Sequence, residues 1–528
     1  MPVRSRGCGN CVKRKIRCDR RVPGCRRCEI HGVQCSGYRQ DAGQGFVFKD
    51  LTTYTQNEAN KVYARTQHKN SVQRVNSQVV SLWQTADGLT NEVSSANVQR
   101  AALHNEFLQS YLPRQNSKST SSPNPLSFIE ILSFHTPTNP NSALQPALDA
   151  LGLVQLGSIA KDERLLKASV SMYGRSLSRL AFDLQREDLR RSDDVLASTI
   201  VLSICELYQE ISQNNGGWVK HIDGTNQILR IRGPKHMNSE LALALFINAR
   251  NNALMQGLIS RRASYMATAE WRRVGKKCQA AGISSLFYDA AIQVPGLLER
   301  TDALFAGTMA DFDTTAALFG DLKTLEIELR RWFDVWESSS ASGGHSLRHL
   351  RPIGHFVHFS THCPDRTLSR AYHFPSFHVG YLHSLYWMCM HCLRTCVQKL
   401  GSLCPEVDPS WSRQSPFPVP EEELLEDVFH LCRCMPFFCE PLSGSIGHIA
   451  IFLPMRIAAT YFGPRGNWTW LKWIGAVKAT IFTQGLAPPI VGRPVFPVGS
   501  STPSNSSSGS PSQPIGASES SSSSSTAG

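Results

Sequence analysis

The length, composition and charge of this chain exclude a single small module and indicate a polyanion as a partner. With 528 residues, of which 41% are hydrophobic, the chain can form two or more structural units with a sizeable buried core. The formal net charge is +13, and the first 40 residues hold eleven basic and two acidic side chains, so +9 of the excess lies at one end. A basic block beside a nearly neutral remainder is typical of a protein that contacts a polyanion with that block.

Secretion and membrane insertion are not expected. The N-terminal residues lack the apolar run of a signal peptide. The most apolar stretch, residues 446–462, is interrupted by His448, Pro454 and Arg456 and is too short to span a bilayer. We therefore expect no membrane partner and a reducing compartment, where the 16 cysteines do not form lasting disulfides and clustered thiols more often bind a metal.

In chain order, the sequence divides into four regions of different composition. Residues 1–40 are basic and rich in cysteine, and they predict a small metal-binding domain of two short helices and loops. Residues 41–120 are rich in Asn, Gln, Ser and Thr and predict a linker. Residues 121–490 predict a large all-α domain, and residues 491–528 predict a disordered tail rich in Ser and Pro.

Apolar periodicity predicts individual helices in the third region. Apolar residues recur at three- to four-residue spacing over 164–184 and again over 194–211. Few alternating runs of strand length compete, so we expect helix throughout this region. In the linker, heptad spacing from Val72 to Ala86 lasts for about two heptads before the turn signal Asp87-Gly88. This pattern leaves open a short dimerisation helix and therefore a homodimer.

The six cysteines of the first region repeat one spacing, C-x2-C-x6-C, twice: Cys8, Cys11, Cys18, then Cys25, Cys28, Cys35. A C-x2-C step lets two thiolates bind one ion from the start of a short helix, and the third cysteine returns after the loop. Since two tetrahedral Zn²⁺ ions need more ligands than six private sulfurs supply, two cysteines must bridge, and the symmetry of the repeat indicates Cys8 and Cys25. Sulfur then fills all coordination positions, so both zinc ions are structural.

Other uses of this region agree less well with the sequence. A disulfide knot conflicts with the reducing compartment, and a metallothionein-like store conflicts with the duplicated spacing and the bulky basic residues. RNA or single-stranded DNA binding usually needs aromatic residues among the basic ones, and no Phe, Tyr or Trp lies between Cys8 and Cys35. Duplex DNA is the favoured partner.

The first region resembles the fungal Zn2Cys6 binuclear-cluster transcription factors. The likeness covers the cysteine spacings, the run Lys13-Arg14-Lys15-Ile16-Arg17, and Pro23 two residues before the fourth cysteine. It implies a nuclear, sequence-specific regulator of RNA polymerase II transcription that recognises CGG-type triplets in the major groove, with Lys15 as the main guanine contact and Arg14 beside it. The remaining basic residues are expected to contact phosphates: Lys13, Arg17, Arg20, Arg26 and Arg27.

The helical region resembles the fungal-specific transcription factor regulatory domain over most of residues 125–490. The likeness depends on looser motifs: Cys35-Ser-Gly-Tyr38, Trp218-x2-His221-x2-Gly224, Gly257-Leu-Ile-Ser-Arg261 and His383-Ser-Leu-Tyr386-Trp387. It implies a region that regulates activity through a ligand, the transcription machinery or co-regulators, and not an enzyme. Since no G-x-S-x-G, phosphate-binding glycine loop or H-E-x-x-H occurs, we predict no catalytic and no cofactor-binding residues.

Two residue sets in the helical region are predicted to be structural. Trp218, His221 and Gly224 fall on one helix face and predict core packing. Cys389, Cys392 and Cys396, with His391 nearby, predict buried thiols rather than a second metal site. Two alternatives stay open: a cofactor-binding or catalytic helical domain attached to the cysteine-rich region, and a repressor or scaffold whose cluster contacts protein.

Overall fold

The computed structural model of the chain describes residues 8–14, 16, 18–19, 25–35, 93–114, 125–137, 139–212, 216–277, 283–307, 312–341, 346–407, 419–481, 485–487 and 489. We call residues 8–35 the head and the described residues from 93 to 489 the helical domain. The predicted heptads over 72–86 and the predicted tail over 491–528 lie outside the described residues.

The elements are listed here in chain order. They are α1 Gly9–Lys13, α2 Arg26–Ile30, α3 Val93–Tyr111, α4 Ser127–Leu132, α5 Leu144–Ala160, α6 Glu163–Gln185, α7 Asp193–Cys205, α8 Gly217–Arg232, α9 Glu240–Ser260, α10 Ala269–Lys277, α11 Ile283–Ala291, α12 Val294–Ala306, α13 Phe312–Ala341, β1 His349–Pro352, α14 Val357–His362, β2 Arg370–His373, α15 Phe377–Val407, α16 Glu421–Phe438, α17 Gly444–Ala450, α18 Phe452–Phe462 and α19 Trp468–Ile481.

Polar residues at helix starts explain where several helices begin. Asp162, Ser192 and Ser239 stand immediately before α6, α7 and α9, and each side chain accepts a hydrogen bond from a backbone N–H in the first turn. Between α5 and α6 the chain turns through Lys161, whose φ of 54° is left-handed and ends α5. The two helices then pack along each other. The helix predicted over 164–184 is confirmed by α6.

The second predicted helix is shorter than expected. It was predicted to reach Ile211, but α7 ends at Cys205. Tyr208 instead forms an antiparallel bridge with Leu486, and the backbone N–H of Ala487 donates to the Leu207 carbonyl over 2.7 Å. The chain beyond α7 therefore pairs with a distant strand-like segment, a contact that local periodicity cannot reveal.

The prediction of helix throughout the third region is wrong at one place. The strands β1 and β2 form an antiparallel pair in which the first residue of β1 lies opposite the last residue of β2. Each strand has four residues, which is too short for an alternating pattern to stand out. Ala371 and Tyr372 of β2 are buried, and this strand packs on α16.

The core of the helical domain lies between α3, α5, α7, α9, α15 and α16. Helix α7 is buried along nearly its whole length, and the middle of α15 is equally enclosed. Phe107 and Tyr111 of α3 belong to the same core, although this helix falls in the segment predicted to be a linker. The folded region thus extends N-terminal to residue 121, while the predicted domain limits as a set stay predictions.

Gly444 brings the end of α3 against the C-terminal helices. Its φ of 62° is left-handed, and a Cβ on this residue would lie 2.5 Å from the Tyr111 carbonyl oxygen. Close by, the backbone N–H of Arg114 donates to the Leu442 carbonyl over 2.9 Å. The approach requires glycine, and it places Tyr111 beside α17.

Within the described ranges, no single helix has both the length and the apolar character needed to cross a membrane. One bent pair, Pro441–Ala450 with Phe452–Phe462, meets these criteria jointly, with an angle of 52° between its helices.

Candidate metal centre and nucleic-acid interface

The six cysteines of the head come together as two overlapping groups of four sulfurs. The groups are Cys8, Cys11, Cys18, Cys25 and Cys8, Cys25, Cys28, Cys35, and the sulfurs of each group all lie within 4.8 Å of one another. Cys8 and Cys25 belong to both groups. A pair of bridging cysteines requires this arrangement.

Each half of the head places its first sulfur at the start of a short helix. The backbone N–H of Cys11 donates to Cys8 Sγ over 3.4 Å, and the backbone N–H of Cys28 donates to Cys25 Sγ over the same distance. Helices α1 and α2 begin immediately after these first cysteines. Donors at a helix start favour the thiolate, which is the form that binds a metal.

The separations between sulfurs fit tetrahedral zinc. Cys8 Sγ lies 3.6 Å from both Cys25 Sγ and Cys28 Sγ, and Cys11 Sγ lies 3.6 Å from Cys25 Sγ. Sulfurs at about 2.3 Å from a zinc ion form a tetrahedron with edges of about 3.8 Å, whereas a disulfide joins its sulfurs at about 2.05 Å. None of the six cysteines forms a disulfide. Two structural zinc ions therefore suit this set.

Burial acts on these thiols in a way that favours a bound cation. Desolvation raises the pKa of the Cys11 thiol to about 12 and also raises the pKa of Cys28. Without a cation nearby, such thiols stay protonated at neutral pH. A bound metal ion reverses this balance, since it binds the thiolate and displaces the proton.

The described residues of the predicted DNA-contacting set are all exposed: Lys13, Arg14, Arg26 and Arg27. The first two lie at and just after the C-terminal end of α1, and the other two lie in the first turn of α2. The remaining predicted contacts lie outside the described residues: Lys15, Arg17 and Arg20. Exposed cations at these helix ends can reach a phosphate backbone without desolvation of a buried charge.

The two halves of the head repeat the same local fold. They are related by a shift of 17 residues, which is the separation of the two shared cysteines. The backbone N–H of Ile16 donates to the Cys11 carbonyl over 3.1 Å, and the backbone N–H of Val33 donates to the Cys28 carbonyl over 3.1 Å. The duplicated cysteine spacing therefore corresponds to a duplicated chain path.

The two halves differ in charge at the end of their helices. Under the same shift, Lys13 and Arg14 correspond to Ile30 and His31. Ile30 is 65% exposed, so this apolar side chain is not needed for a core. The halves share their backbone fold, whereas the basic helix end occurs in the first half. A contact with a polyanion accounts for this difference better than solubility does.

Two residues that sequence reasoning missed connect the halves. Asn10 Nδ2 donates to the Gln34 carbonyl over 2.9 Å, and Asp19 Oδ2 accepts from the backbone N–H of Arg26 over 3.2 Å. Both partners lie in the other half of the head. Neither residue has a spacing that signals such a bond.

The motif Trp218, His221 and Gly224 lies on α8. Trp218 is buried. Tyr173 OH lies 3.0 Å from His221 Nε2 and also donates to the Glu206 carboxylate. Burial lowers the pKa of His221 to about 4, so this imidazole is neutral. The predicted core packing of Trp218 is confirmed, and the motif gave no sign of the polar network around His221.

The thiols of α15 are buried, as predicted. Cys389, Cys392 and Cys396 lie inside the core of the helical domain, with His391 in the same helix. In the part of the chain that the structure describes, the side-chain groups close enough to share a metal ion are the two cysteine groups of the head. The α15 set is not among them.

Two family models match the chain in separate regions. Residues 6–44 match the fungal Zn(2)-Cys(6) binuclear cluster domain, and residues 100–341 match the fungal specific transcription factor domain. Together with the paired sulfur groups, these matches indicate a zinc-cluster domain followed by a helical domain similar to those of fungal transcription factors.

One curated relative shares part of this sequence. Uncharacterized protein AN5342 of Emericella nidulans is 30% identical over 232 residues, which are 41% of this chain and 49% of the relative. The chain therefore spans about half the length of the curated relative that it matches. Comparison with solved structures gives no significant match.

Proposed function

We propose that the protein is a nuclear regulator of RNA polymerase II transcription that binds CGG-type triplets of duplex DNA through its head. The observation that carries this proposal is the pair of four-sulfur groups that share Cys8 and Cys25, next to the basic C-terminal end of α1. The matches to the fungal zinc-cluster domain and to the fungal specific transcription factor domain support regulation of transcription by DNA binding.

The two sulfur groups support the following assignment of zinc ligands. One ion is held by Cys8, Cys11, Cys18 and Cys25, and the other by Cys8, Cys25, Cys28 and Cys35. Zinc supplies structural cross-links in such a site. Six thiolates and two Zn²⁺ ions have a net charge of about −2, so surplus cationic side chains are needed before the head can approach phosphate.

The end of α1 supplies the base contacts in this proposal. Lys15 donates to guanine N7 and O6 in the major groove, and Arg14 lies beside it. Contacts to phosphates position the head without specifying a sequence, and they are assigned to Lys13, Arg17, Arg20, Arg26 and Arg27. The exposure of Lys13 and Arg14, and the lack of charge on Ile30, support this assignment.

The helical domain is the regulatory part of the proposed factor. Its core extends from α3 to the segment around Leu486, so it can respond as one unit to the transcription machinery or to co-regulators. Homodimerisation through the heptads over 72–86 is a separate part of the proposal, because DNA binding by one head does not require it.

Selection from a pool of randomised duplexes by the full-length, zinc-loaded protein tests the target sequence. We expect enrichment of CGG triplets, and the number of triplets per selected duplex reports how many heads bind together. Enriched sequences without a CGG triplet would contradict the proposed specificity.

Single variants separate base contacts from phosphate contacts. Lys15→Ala is expected to weaken binding to the selected site by about 5- to 150-fold, equivalent to about 1–3 kcal/mol, with little change on unrelated DNA. Arg26→Ala should weaken binding to both DNAs about equally. His31→Ala is the matched control, because His31 is exposed and corresponds to Arg14 in the second half. Full retention of site binding by Lys15→Ala would favour a head that contacts protein.

A further inference from the structure

Positive charge is concentrated on the helical domain at the end of α8 and along α10. The segments 230–240 and 262–277 carry eight basic and two acidic side chains, a net charge of +6, whereas residues 41–528 as a whole carry +4. We call six of these basic residues the basic surface: Arg230, Lys235, Arg272, Arg273, Lys276 and Lys277. Five of the six are exposed, and Arg272 is half-buried.

Packing brings the two segments together. The guanidinium carbon of Arg230, at the end of α8, lies 4.3 Å from the centre of the Tyr265 ring. The Tyr265 ring in turn meets Trp271 of α10 edge-on, with 5.3 Å between centroids. Trp271 is buried and attaches α10 to the domain, and the 3-10 turn Pro234–His236, which includes Lys235, packs against α10. The six cations therefore belong to one surface.

Helix α10 has a buried face and a basic face. The residues of the buried face are Trp271, Val274 and Gly275. Lys276 and Lys277 lie in the last turn, where a cation interacts favourably with the helix dipole. Arg272 and Arg273 precede that turn, so the dipole does not account for the whole basic face.

The cations of the basic surface have no acidic partner among the residues that the structure describes. Other arginines of the helical domain do have one: Arg262 pairs with Glu299 over 2.7 Å, and Arg300 pairs with Asp321 over 2.6 Å. Six cations that lie together without a carboxylate repel one another, and a bound polyanion relieves this repulsion.

The surroundings of these cations indicate which polyanion fits. Among the described residues, none of the large apolar side chains that are exposed lies in 230–240 or 262–277. A protein partner is usually bound through apolar and aromatic anchors with charges at the rim, and this surface has no such anchor. A phosphate backbone needs cations alone. The nine residues of α10 extend over about 13 Å, along which duplex DNA carries roughly eight phosphates.

We infer that the basic surface of the helical domain contacts phosphates of the duplex that the head binds. The inference rests on the proposed binding of duplex DNA by the head, and it adds a second contact region. Phosphate contacts strengthen binding and increase its dependence on salt, but they do not change the sequence that is selected. By itself such a surface binds weakly, with a Kd on the order of 10⁻⁴ M at physiological salt, so the head stays necessary for tight binding.

The salt dependence of DNA binding tests the inference. The Kd of the full-length, zinc-loaded protein for a duplex enriched in the selection is measured between about 50 and about 200 mM salt. The test variant combines Arg273→Gln, Lys276→Gln and Lys277→Gln, which removes three exposed cations. Each lost phosphate contact reduces the slope of log K against log salt by about 0.9. We expect a slope shallower by about 2 to 3 and, at the lowest salt, binding at least about tenfold weaker.

A second variant controls for net charge. It combines Arg114→Gln, Arg331→Gln and Lys472→Gln, three exposed residues outside the two segments, and it loses the same charge. Its slope and affinity should stay near those of the wild type. Both variants should keep the Tm and the helical circular dichroism signal, which shows that they are folded.

Two results overturn the inference: an unchanged slope in the test variant, or an equal change in both variants. Selection of a sequence without CGG would contradict the proposed target, but the salt dependence is then measured on that enriched duplex. The proposed specificity and the second contact region can therefore fail separately.

Discussion

The head and the helical domain differ in what fills their interiors. Among the described residues of the head, the buried side chains are those of Cys8, Cys11, Cys25 and Cys28, while Ile30 and Val33 are 65% and 44% exposed. The helical domain buries many large apolar side chains, including Phe246, Leu385 and Trp473. Burial of this kind stabilises a fold by about 25 cal/mol per Å² of apolar surface. The head buries little apolar surface, so its stability must come from bound metal.

Removal of zinc should give the largest difference in stability between the head and the helical domain. Each structural zinc supplies on the order of 10 kcal/mol of folding free energy, so a strong chelator is expected to unfold the head and abolish DNA binding. The helical domain should keep its circular dichroism signal and its Tm. Both are measured on the full-length protein before and after chelation. Loss of the helical circular dichroism signal on removal of zinc would contradict this difference between the head and the helical domain.

A Cys→Ser substitution in the interior of the head and in that of the helical domain should give the next largest difference between the two regions. Cys25→Ser removes a sulfur that belongs to both groups, so bound zinc should fall from two ions per chain towards none. Cys389→Ser moves a hydroxyl into the fully buried position of Cys389, which should lower the free energy of unfolding of the helical domain by about 1–3 kcal/mol. Elemental analysis and denaturant unfolding measure the two effects. Full zinc content in Cys25→Ser would exclude it as a shared ligand.

Mild acid gives the smallest expected contrast, and it acts on a buried histidine of the helical domain. Burial lowers the pKa of His391 to about 4 from its usual value of 6.5. Because the unfolded chain takes up this proton at a higher pH than the folded chain, stability present above pH 6.5 is lost as the pH falls towards 4. The loss from this residue is about 2 kcal/mol between pH 7 and pH 5.

His391→Phe tests that dependence. The ring packs edge-on against Tyr461, with 5.5 Å between centroids, and Phe preserves a ring in that position. Denaturant unfolding at pH 7 and pH 5 should give a smaller difference for the variant than for the wild type. Zinc content at pH 7 should be the same in both proteins. A pH dependence equal to that of the wild type would show that His391 is not responsible.

Features fixed by short-range spacing could be predicted, and features made by distant residues could not. The cysteine spacing alone suffices to place Cys8 and Cys25 in two groups, because a few residues of chain limit where each sulfur can lie. The periodic spacing of apolar residues predicted α6, because this helix is long enough to show it. The contact of Tyr208 with Leu486 depends on segments far apart in sequence. A local sequence pattern cannot predict a contact between segments so far apart.

The hydrogen bonds that join the beginning of the helical domain to its end affect how it folds during synthesis. Gln155 Nε2 donates to Ser445 Oγ over 2.6 Å, and Tyr208 pairs with Leu486. A nascent chain therefore leaves apolar faces of α5 and α7 uncovered until the ribosome has released the segment around Leu486. A premature stop codon makes that exposure permanent, and products truncated there are expected to be bound by chaperones and removed by proteases.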